Sequence, residues 1–344
     1  VVKPPTLREV AEKAGVSIST VSRVINDQPG IGSETRARVL AIAQELQFAP
    51  NAAAQNLATK RTYNIGLITF KWSMPSRFVA TSLDSVGIND VCQRRGYHML
   101  TTFVDAQAMK NARQLPMVRE NRVDGLILAG PAIKPSFIVE LHNSGIPIVL
   151  LDNRLRGTDI DCVLHENVEG AYRLTQHLIR AHQHETIVFL SGPDTWLSSQ
   201  ERAAGYSHAL AEASLEPHIV YMSNTTVETG MEAMERALVE RPHLTAIVAV
   251  NDAVAIGAMR ACKANGRSVP EDTAVTGFDN IGWAELHDPP LTTARAFGEE
   301  MGRQAARRLI ELIESSSDQE HIRSRLRVGA KLVIRRSCGC LEHE

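Results

Sequence analysis

The chain has 344 residues, 44% hydrophobic and 22% charged, with a formal net charge of −2. That is the composition of an ordinary soluble globular protein with room for two or three domains and a sizeable core, and it excludes a wholesale polycation. The charge is uneven, however: residues 1–61 carry eight Lys and Arg against five acids, a net +3, which leaves −5 to the rest.

The opening VVKPPTLREV has no apolar core of the kind a secretion signal needs, and no apolar run reaches the ~18 residues of a membrane span. Thr6-Leu-Arg-Glu9 is a capping box, with the Thr hydroxyl placed to accept the third helical amide while Glu9 reaches back. It predicts a first helix with Leu7, Val10, Ala11 and Ala14 inward, closed by Gly15. Ser17 then caps a second helix. At about 100° per residue, Val21, Val24 and Ile25 share one face of that helix, and Ser19, Ser22, Arg23 and Asn26 share the other. Such a face is either plain solvated surface or built to touch a polar partner. Gln28–Gly32 reads as a loop, and Ser33 caps a third helix carrying Val39, Leu40, Ala43 and Leu46. Pro50-Asn51 restarts the chain into AAAQNLATK, a two-turn segment too short to hold alone in water.

From Tyr63 the texture changes. Short apolar runs recur at 65–70, 98–104, 124–130, 146–152, 186–192, 219–223, 246–252 and 273–279, separated by helical patterns such as Val168–Arg180, Arg202–Ala213 and Ala253–Asn265. Buried strands alternating with helices predict right-handed βαβ units and parallel sheets, and their number suits two doubly wound lobes. In such sheets ligands sit beyond the C-terminal strand ends, where this chain places Asp152-Asn153, Asn251-Asp252 and Asp279-Asn280.

No nucleophile motif, P-loop or dinucleotide fingerprint is visible, so the chain does not read as an enzyme and no cofactor is expected. The twelve histidines show no metal spacing, and Cys338-Gly-Cys340 is too little for a zinc site; no metal is expected. Five cysteines, odd in number and mostly far apart, fit a reducing cytoplasmic compartment. The closing LEHE resembles the edge of an expression tag.

TLREVAEKAGVSISTVSRVIND, then PNAAAQNLATKRT, RVDGLIL, IPIVLLDN, ERAAGYSHAL, AIVAVNDAVAIGAMRA, VTGFDN, PPLTTARA and VIRRSCG resemble, in order and spacing, regulators of the lactose-repressor/galactose-repressor family. The resemblance covers essentially the whole chain. It implies an all-α helix-turn-helix headpiece (1–49), a hinge helix and linker (50–62), and a two-lobed α/β core like that of periplasmic sugar-binding proteins (63–337). The first lobe is expected at about 63–162 plus 294–322, the second at about 163–291 plus 323–337, and a tail at 338–344. The implied function is transcriptional control, most simply repression of carbohydrate uptake or catabolism genes, by a homodimer or tetramer. Its partners would be a pseudo-palindromic operator and a small effector, a sugar or sugar derivative. The protein would be cytoplasmic, and nucleoid-associated when bound to DNA.

By the same resemblance Ile18, Ser19 and Arg23 occupy base-reading positions. Arg can bind guanine in bidentate fashion, while Ile18 departs from the polar residue often found there and reads equally as a thymine-methyl contact or as packing. Thr6, Ser17, Thr20, Ser22 and Asn26 match phosphate-holding positions, which fix register. Leu57 matches the leucine that wedges into the minor groove, and Ala54 is small enough for paired hinge helices to approach.

In the core, Arg202 and Asp279 match the family's ligand-gripping arginine and its acidic partner; the bland alternative is an interlobe or local ion pair. Asp152, Asn153 and Asn251 join them by position, although strand-end Asp and Asn commonly cap helices. FKWSMPSRF (70–78) departs from the family pattern. Its Trp72 could stack on a sugar ring and its Arg77 could bind an acidic group, or either could cover a dimer surface; Phe297 is a further platform candidate. A periplasmic-type sugar-binding protein would share the core but has no use for Thr6–Leu57.

Overall fold

The computed structural model describes residues 5–25, 28–48, 61–71, 83–315 and 322–341. Asn26, Ala54, Leu57, Trp72 and Arg77, and most of the expected hinge, lie outside the described residues. The chain divides into two compact units, 1–63 and 64–344.

The first unit carries three helices, α1 (Leu7–Ala14), α2 (Ile18–Ile25) and α3 (Ser33–Glu45). The capping box at α1 forms as expected: the Glu9 amide donates to the Thr6 hydroxyl, and the Thr6 amide donates to the Glu9 carboxylate at 2.6 Å. Gly15 ends α1 in the left-handed region. Ser17 caps α2, its hydroxyl accepting from the Thr20 amide at 3.1 Å. The third helix differs slightly from expectation, with Gly32 rather than Ser33 at the N-cap and no side-chain capping bond. Val10, Ala11, Ala14, Val21, Val24, Val39 and Ala43 form the unit's core. These are largely the positions that a 3.6-residue period assigns to the inward face.

The second unit contains two six-stranded sheets. In chain order its elements are β1 (Asn64–Phe70), α4 (Leu83–Arg94), β2 (His98–Val104), α5 (Pro116–Arg119), β3 (Gly125–Ala129), α6 (Pro135–His142), β4 (Ile148–Leu151), β5 (Asp161–His165), α7 (Asn167–His182), β6 (Ile187–Ser191), α8 (Leu197–Glu212) and β7 (His218–Tyr221). Then come α9 (Val227–Glu240), β8 (Ala246–Ala249), α10 (Asp252–Ala264), β9 (Ala274–Asp279), α11 (Gly282–Leu286), β10 (Thr292–Ala296), α12 (Gly298–Glu314), β11 (Arg325–Val328) and β12 (Ala330–Val333).

The first sheet runs β11-β5-β4-β3-β1-β2 and is parallel throughout. The second runs β12-β10-β9-β8-β6-β7, parallel except for β12 against β10. Central strands such as GLILA and IVFLS are buried at every residue, as strands covered on both faces must be.

The chain crosses between lobes after β5, after β10 and at Gly329, between β11 and β12. These crossings correct the expected lobe limits. β5 (161–165) stays in the first sheet, β10 (292–296) completes the second, and β11 (325–328) pairs with β5 rather than joining the second lobe. The edge strand RLRV is mostly exposed, so it lacks the apolar run by which buried strands announce themselves.

Each sheet reverses its strand order at one place, between β1 and β3 in the first and between β6 and β8 in the second. Beyond the C-terminal ends of strands at such a point the flanking loops part and leave a crevice. Ser191 ends β6 and Val250 follows β8 at the second switch point, and Asp152 follows β4 in the first sheet.

Candidate functional site

Two regions carry the candidate residues. On α2 the structure places Ser17, Ile18, Ser19 and Arg23 on the exposed surface, with Thr20 and Ser22 half-buried, opposite the buried Val21 and Val24. Ile18 is 49% exposed, so part of its side chain is left uncovered at this face. Ser17 joins the Ser19 hydroxyl at 2.7 Å and the Thr20 hydroxyl at 2.8 Å, which holds three short polar side chains together at the helix start. Arg23 donates to the Pro29 carbonyl at 2.9 Å, so its guanidinium is aimed along the loop joining α2 to α3. Thr6 is exposed beside its capping partner.

In the core, the buried Arg202 projects from α8. Its Nε donates to Asn167 Oδ1 at 2.9 Å, its Nη1 to the Val250 carbonyl at 2.5 Å, and its Nη2 to Asp279 Oδ1 at 3.4 Å. The guanidinium carbon also lies 3.7 Å from the centre of the Phe278 ring. Such stacking suits a planar cation stripped of water. Arg202 therefore ties together the ends of β8 and β9 and the start of α7. Asn167 is fixed in turn by Glu201, which pairs with Arg327 at 2.6 Å.

Carboxylates gather around this cation. Asp279 keeps 35% of its side chain exposed, and desolvation raises its carboxyl above the usual range despite the Arg202 charge. Asp152 is pushed up to about 7 by desolvation, with Arg202 pulling against it and Asp279 and Glu201 adding to it. Asp84, in the first turn of α4, is pushed up to about 7 by desolvation and then by the charges of Asp152 and Asp279. Like charges brought together in poorly solvated space resist ionising together. Asp152, Asp279 and Asn280 all adopt left-handed backbone, with φ of 51°, 102° and 56°, a conformation that Asp and Asn tolerate better than most residues.

Three buried polar atoms near this group have no hydrogen-bond partner among the described residues: His165 Nδ1 and the Ser191 and Ser199 hydroxyls. Desolvation and the Arg202 charge lower His165 to about 3, so its ring is neutral. Unpaired buried polar atoms are costly, and all three belong to strand-end or helix-start positions at the crevice.

Two expected contacts are otherwise engaged. Asn153 donates to the Gly130 and Ile133 carbonyls at 3.0 and 3.2 Å and accepts from the Arg154 amide, so it braces the loop after β3. Asn251 caps α10, accepting from the Val254 amide at 2.9 Å and donating to the Thr225 carbonyl. Phe297 is half-buried at the start of α12, with the Arg295 guanidinium 5.2 Å from its ring centre.

Sequence reasoning assigned no binding role to Asp84, His165, Asn167, Ser191, Ser199 or Asp252, although Asp252 stood in view at a strand end. Asp252 is fully buried, accepting from the Ile281 amide at 2.8 Å and the Thr293 hydroxyl at 2.5 Å, which fixes the loop that presents Asp279. Gly277 makes this possible, since a Cβ there would stand 2.3 Å from Asp252 Oδ1. The strand-end pair Asn251-Asp252 was visible, but nothing in it said which member would serve as the brace.

A three-helix unit with a polar outer helix face, followed by two doubly wound lobes around a polar crevice, defines a ligand-responsive DNA-binding regulator. The family described as "Bacterial regulatory proteins, lacI family" matches residues 6–51, and "Periplasmic binding proteins and sugar binding domain of LacI family" matches residues 86–335. The repressors named PurR of Pasteurella multocida and Vibrio campbellii are each 32% identical, over 96% of this chain and 98% and 97% of theirs. Among solved structures, the Lac repressor dimer bound to operator and the anti-inducer ONPF is 28% identical, with a TM-score of 0.80 over 98% of this chain and 99% of that one. The regulator CelR in complex with cellobiose is 29% identical, with a TM-score of 0.72 over 97% and 99%. The chain belongs to the LacI family and is a DNA-binding transcriptional regulator with a headpiece and a small-molecule core.

Proposed function

We propose that the chain is an operator-binding repressor of carbohydrate uptake or catabolism genes, acting in the cytoplasm as a homodimer, whose grip on DNA is set by a neutral, hydroxyl-rich ring held between the lobes. The observation that carries the effector reading is the charge set of the crevice. One stacked guanidinium, Arg202, sits among Asp84, Asp152 and Asp279. Carboxylates accept hydrogen bonds from sugar hydroxyls and repel phosphate and carboxylate ligands, while Arg202 and the unpaired Ser191 and Ser199 hydroxyls supply donors. The cellobiose-bound relative supports a sugar as the ligand class.

The dimer reading rests on the second lobe and on the dimeric Lac repressor relative. Trp283 and Leu286 are 53% and 78% exposed, beside an 820 Å³ groove bordered by Ile256, Met259 and Val269. Exposed apolar side chains beside a groove whose lining also carries Arg260, Lys263, Arg267 and Glu271 suit a second copy of the chain. The effector acts only as far as it prefers one relative setting of the lobes.

In the headpiece, Ser19 and Arg23, with Ile18 beside them, read base edges, and Thr6, Ser17, Thr20 and Ser22 hold phosphates; the expected roles of Asn26, Ala54 and Leu57 belong to the same scheme. A thermal-shift screen of neutral sugars, sugar phosphates and nucleosides tests the effector class, since a true ligand raises stability by mass action. A neutral sugar is expected to raise Tm and change operator affinity. Response to a phosphorylated ligand alone would contradict the charge argument.

A further inference from the structure

Away from the crevice, the last turn of α7 meets the C-terminal end of the described chain. Four side chains converge there: His177 and His182 from α7, and Cys338 and Cys340 from the turn after β12, with their ligand atoms all within 4.8 Å of one another. His177 Nε2 lies 3.4 Å from Cys338 Sγ and 3.7 Å from Cys340 Sγ, and His182 Nε2 lies 3.3 Å from Cys340 Sγ. We propose that these four residues form a tetrahedral site for a zinc-type divalent cation, which fastens the C-terminal turn to the second lobe.

The distances fit this reading. Zinc–sulfur bonds of about 2.3 Å and zinc–nitrogen bonds of about 2.0–2.1 Å at tetrahedral angles put sulfur and nitrogen about 3.6 Å apart, within the observed spread of 3.3–3.7 Å. Two thiolates with two imidazoles is a donor set that selects tetrahedral zinc over hard, oxygen-seeking cations. Gly339 shapes the turn: its φ of 102° is left-handed, and a Cβ there would stand 3.3 Å from the His182 ring. The two rings meet edge-on, with centres 5.1 Å apart.

The surroundings favour a cation as well. His182 ends α7, and the C-terminal end of a helix is the negative end of its dipole. An imidazole binds a divalent cation through the lone pair of a ring nitrogen, and Nε2 of each ring faces the sulfurs here. On binding, the two thiols release their protons to solvent and become thiolate ligands. Cys338 is buried in the second-lobe core and its sulfur accepts from the Thr292 hydroxyl at 3.1 Å, so a metal here braces β10 and the end of the chain together. Sequence spacing concealed the site. His177 and His182 stand five residues apart, off the i,i+3 and i,i+4 pattern of a shared helix face, and the histidine and cysteine pairs are more than 150 residues apart.

The test uses the full-length, tag-free chain purified without chelator. Metal analysis is expected to find about one zinc per chain after dialysis. Cobalt(II) alone is expected to give tetrahedral ligand-field bands with thiolate charge-transfer absorption. Zinc added to the chelator-treated protein is expected to raise Tm by roughly 5 °C. Cys340→Ala and His182→Ala, at half-buried positions, are expected to lose the metal and the Tm gain. The proposal is overturned by an octahedral cobalt spectrum without charge transfer, by no binding at micromolar zinc, by equal binding in the Cys340→Ala/His182→Ala double variant, or by a Cys338–Cys340 disulfide in freshly isolated protein.

Discussion

The α2 face and the interlobe crevice both hold polar side chains ready for a partner, under opposite conditions. On α2 the hydroxyls of Ser17, Ser19 and Thr20 bond to one another at an exposed or half-exposed surface, where an unused polar group is solvated by water at little cost. In the crevice, Arg202 is buried and Asp84 and Asp152 are held near pKa 7, so each polar group there must be matched or remain a liability. A DNA-reading face can be a local property of one helix. A small-molecule site is assembled from distant elements and carries electrostatic strain that a ligand relieves.

Removing the crevice's central cation breaks this contrast most sharply. Arg202→Ala is expected to cost about 2–5 kcal/mol in effector binding, because it leaves the surrounding carboxylates unpaired, while operator binding without effector is retained. Calorimetric titration and an operator gel shift on the same preparation check both halves.

The next effect concerns pH. The ordinary carboxyl value of 3.8 becomes about 7 for Asp84 and Asp152 in the folded chain. Below pH 3.8 both states are protonated and the contribution of these groups is fully present. As pH rises toward 7 the unfolded chain releases protons that the folded chain keeps, so stability is lost through that window. The unliganded core is therefore expected to melt several degrees lower at pH 8 than at pH 5.5. Asp152→Asn is expected to raise Tm at pH 8 and to flatten the slope; an unchanged slope in that variant would count against the crowded-carboxylate account.

On the headpiece side the effects are smaller. Arg23→Ala is expected to cost about 1–3 kcal/mol at one operator position and to relax base preference there. Selection from a randomised operator library reads this out, and uniform weakening on every sequence would assign Arg23 to phosphate contact. Thr6→Ala breaks the capping box and is expected to cost about 1 kcal/mol of headpiece stability, measured by denaturant unfolding.

The same contrast explains what was legible in the sequence. The headpiece elements were readable because capping, αL termination and the 3.6-residue period are local: Thr6, Gly15 and Ser17 all act within a few residues of their own position. Most strands were readable from their apolar runs. But β5 and β10, though largely buried, carry no long apolar run and were not, nor were the mostly exposed β11 and the half-buried β12, and the lobe limits shifted accordingly. In the crevice, Arg202, Asp152 and Asp279 stood out by family resemblance and strand-end position. Asn153 and Asn251 stood out by position too, yet their amides hold loops and caps. Asp84 and Asn167 gave no signal, because their importance arises only when α4 and α7 are brought beside β9. The histidine–cysteine corner went unseen for the same reason.

The most direct measurement is operator affinity as a function of a neutral sugar identified by thermal shift, in the wild-type protein and in Arg202→Ala. A sugar-dependent change of at least tenfold in the wild type, absent in the variant with its sugar-free affinity unaltered, is the predicted result. An undiminished sugar response in Arg202→Ala would place control of DNA binding somewhere other than this crevice.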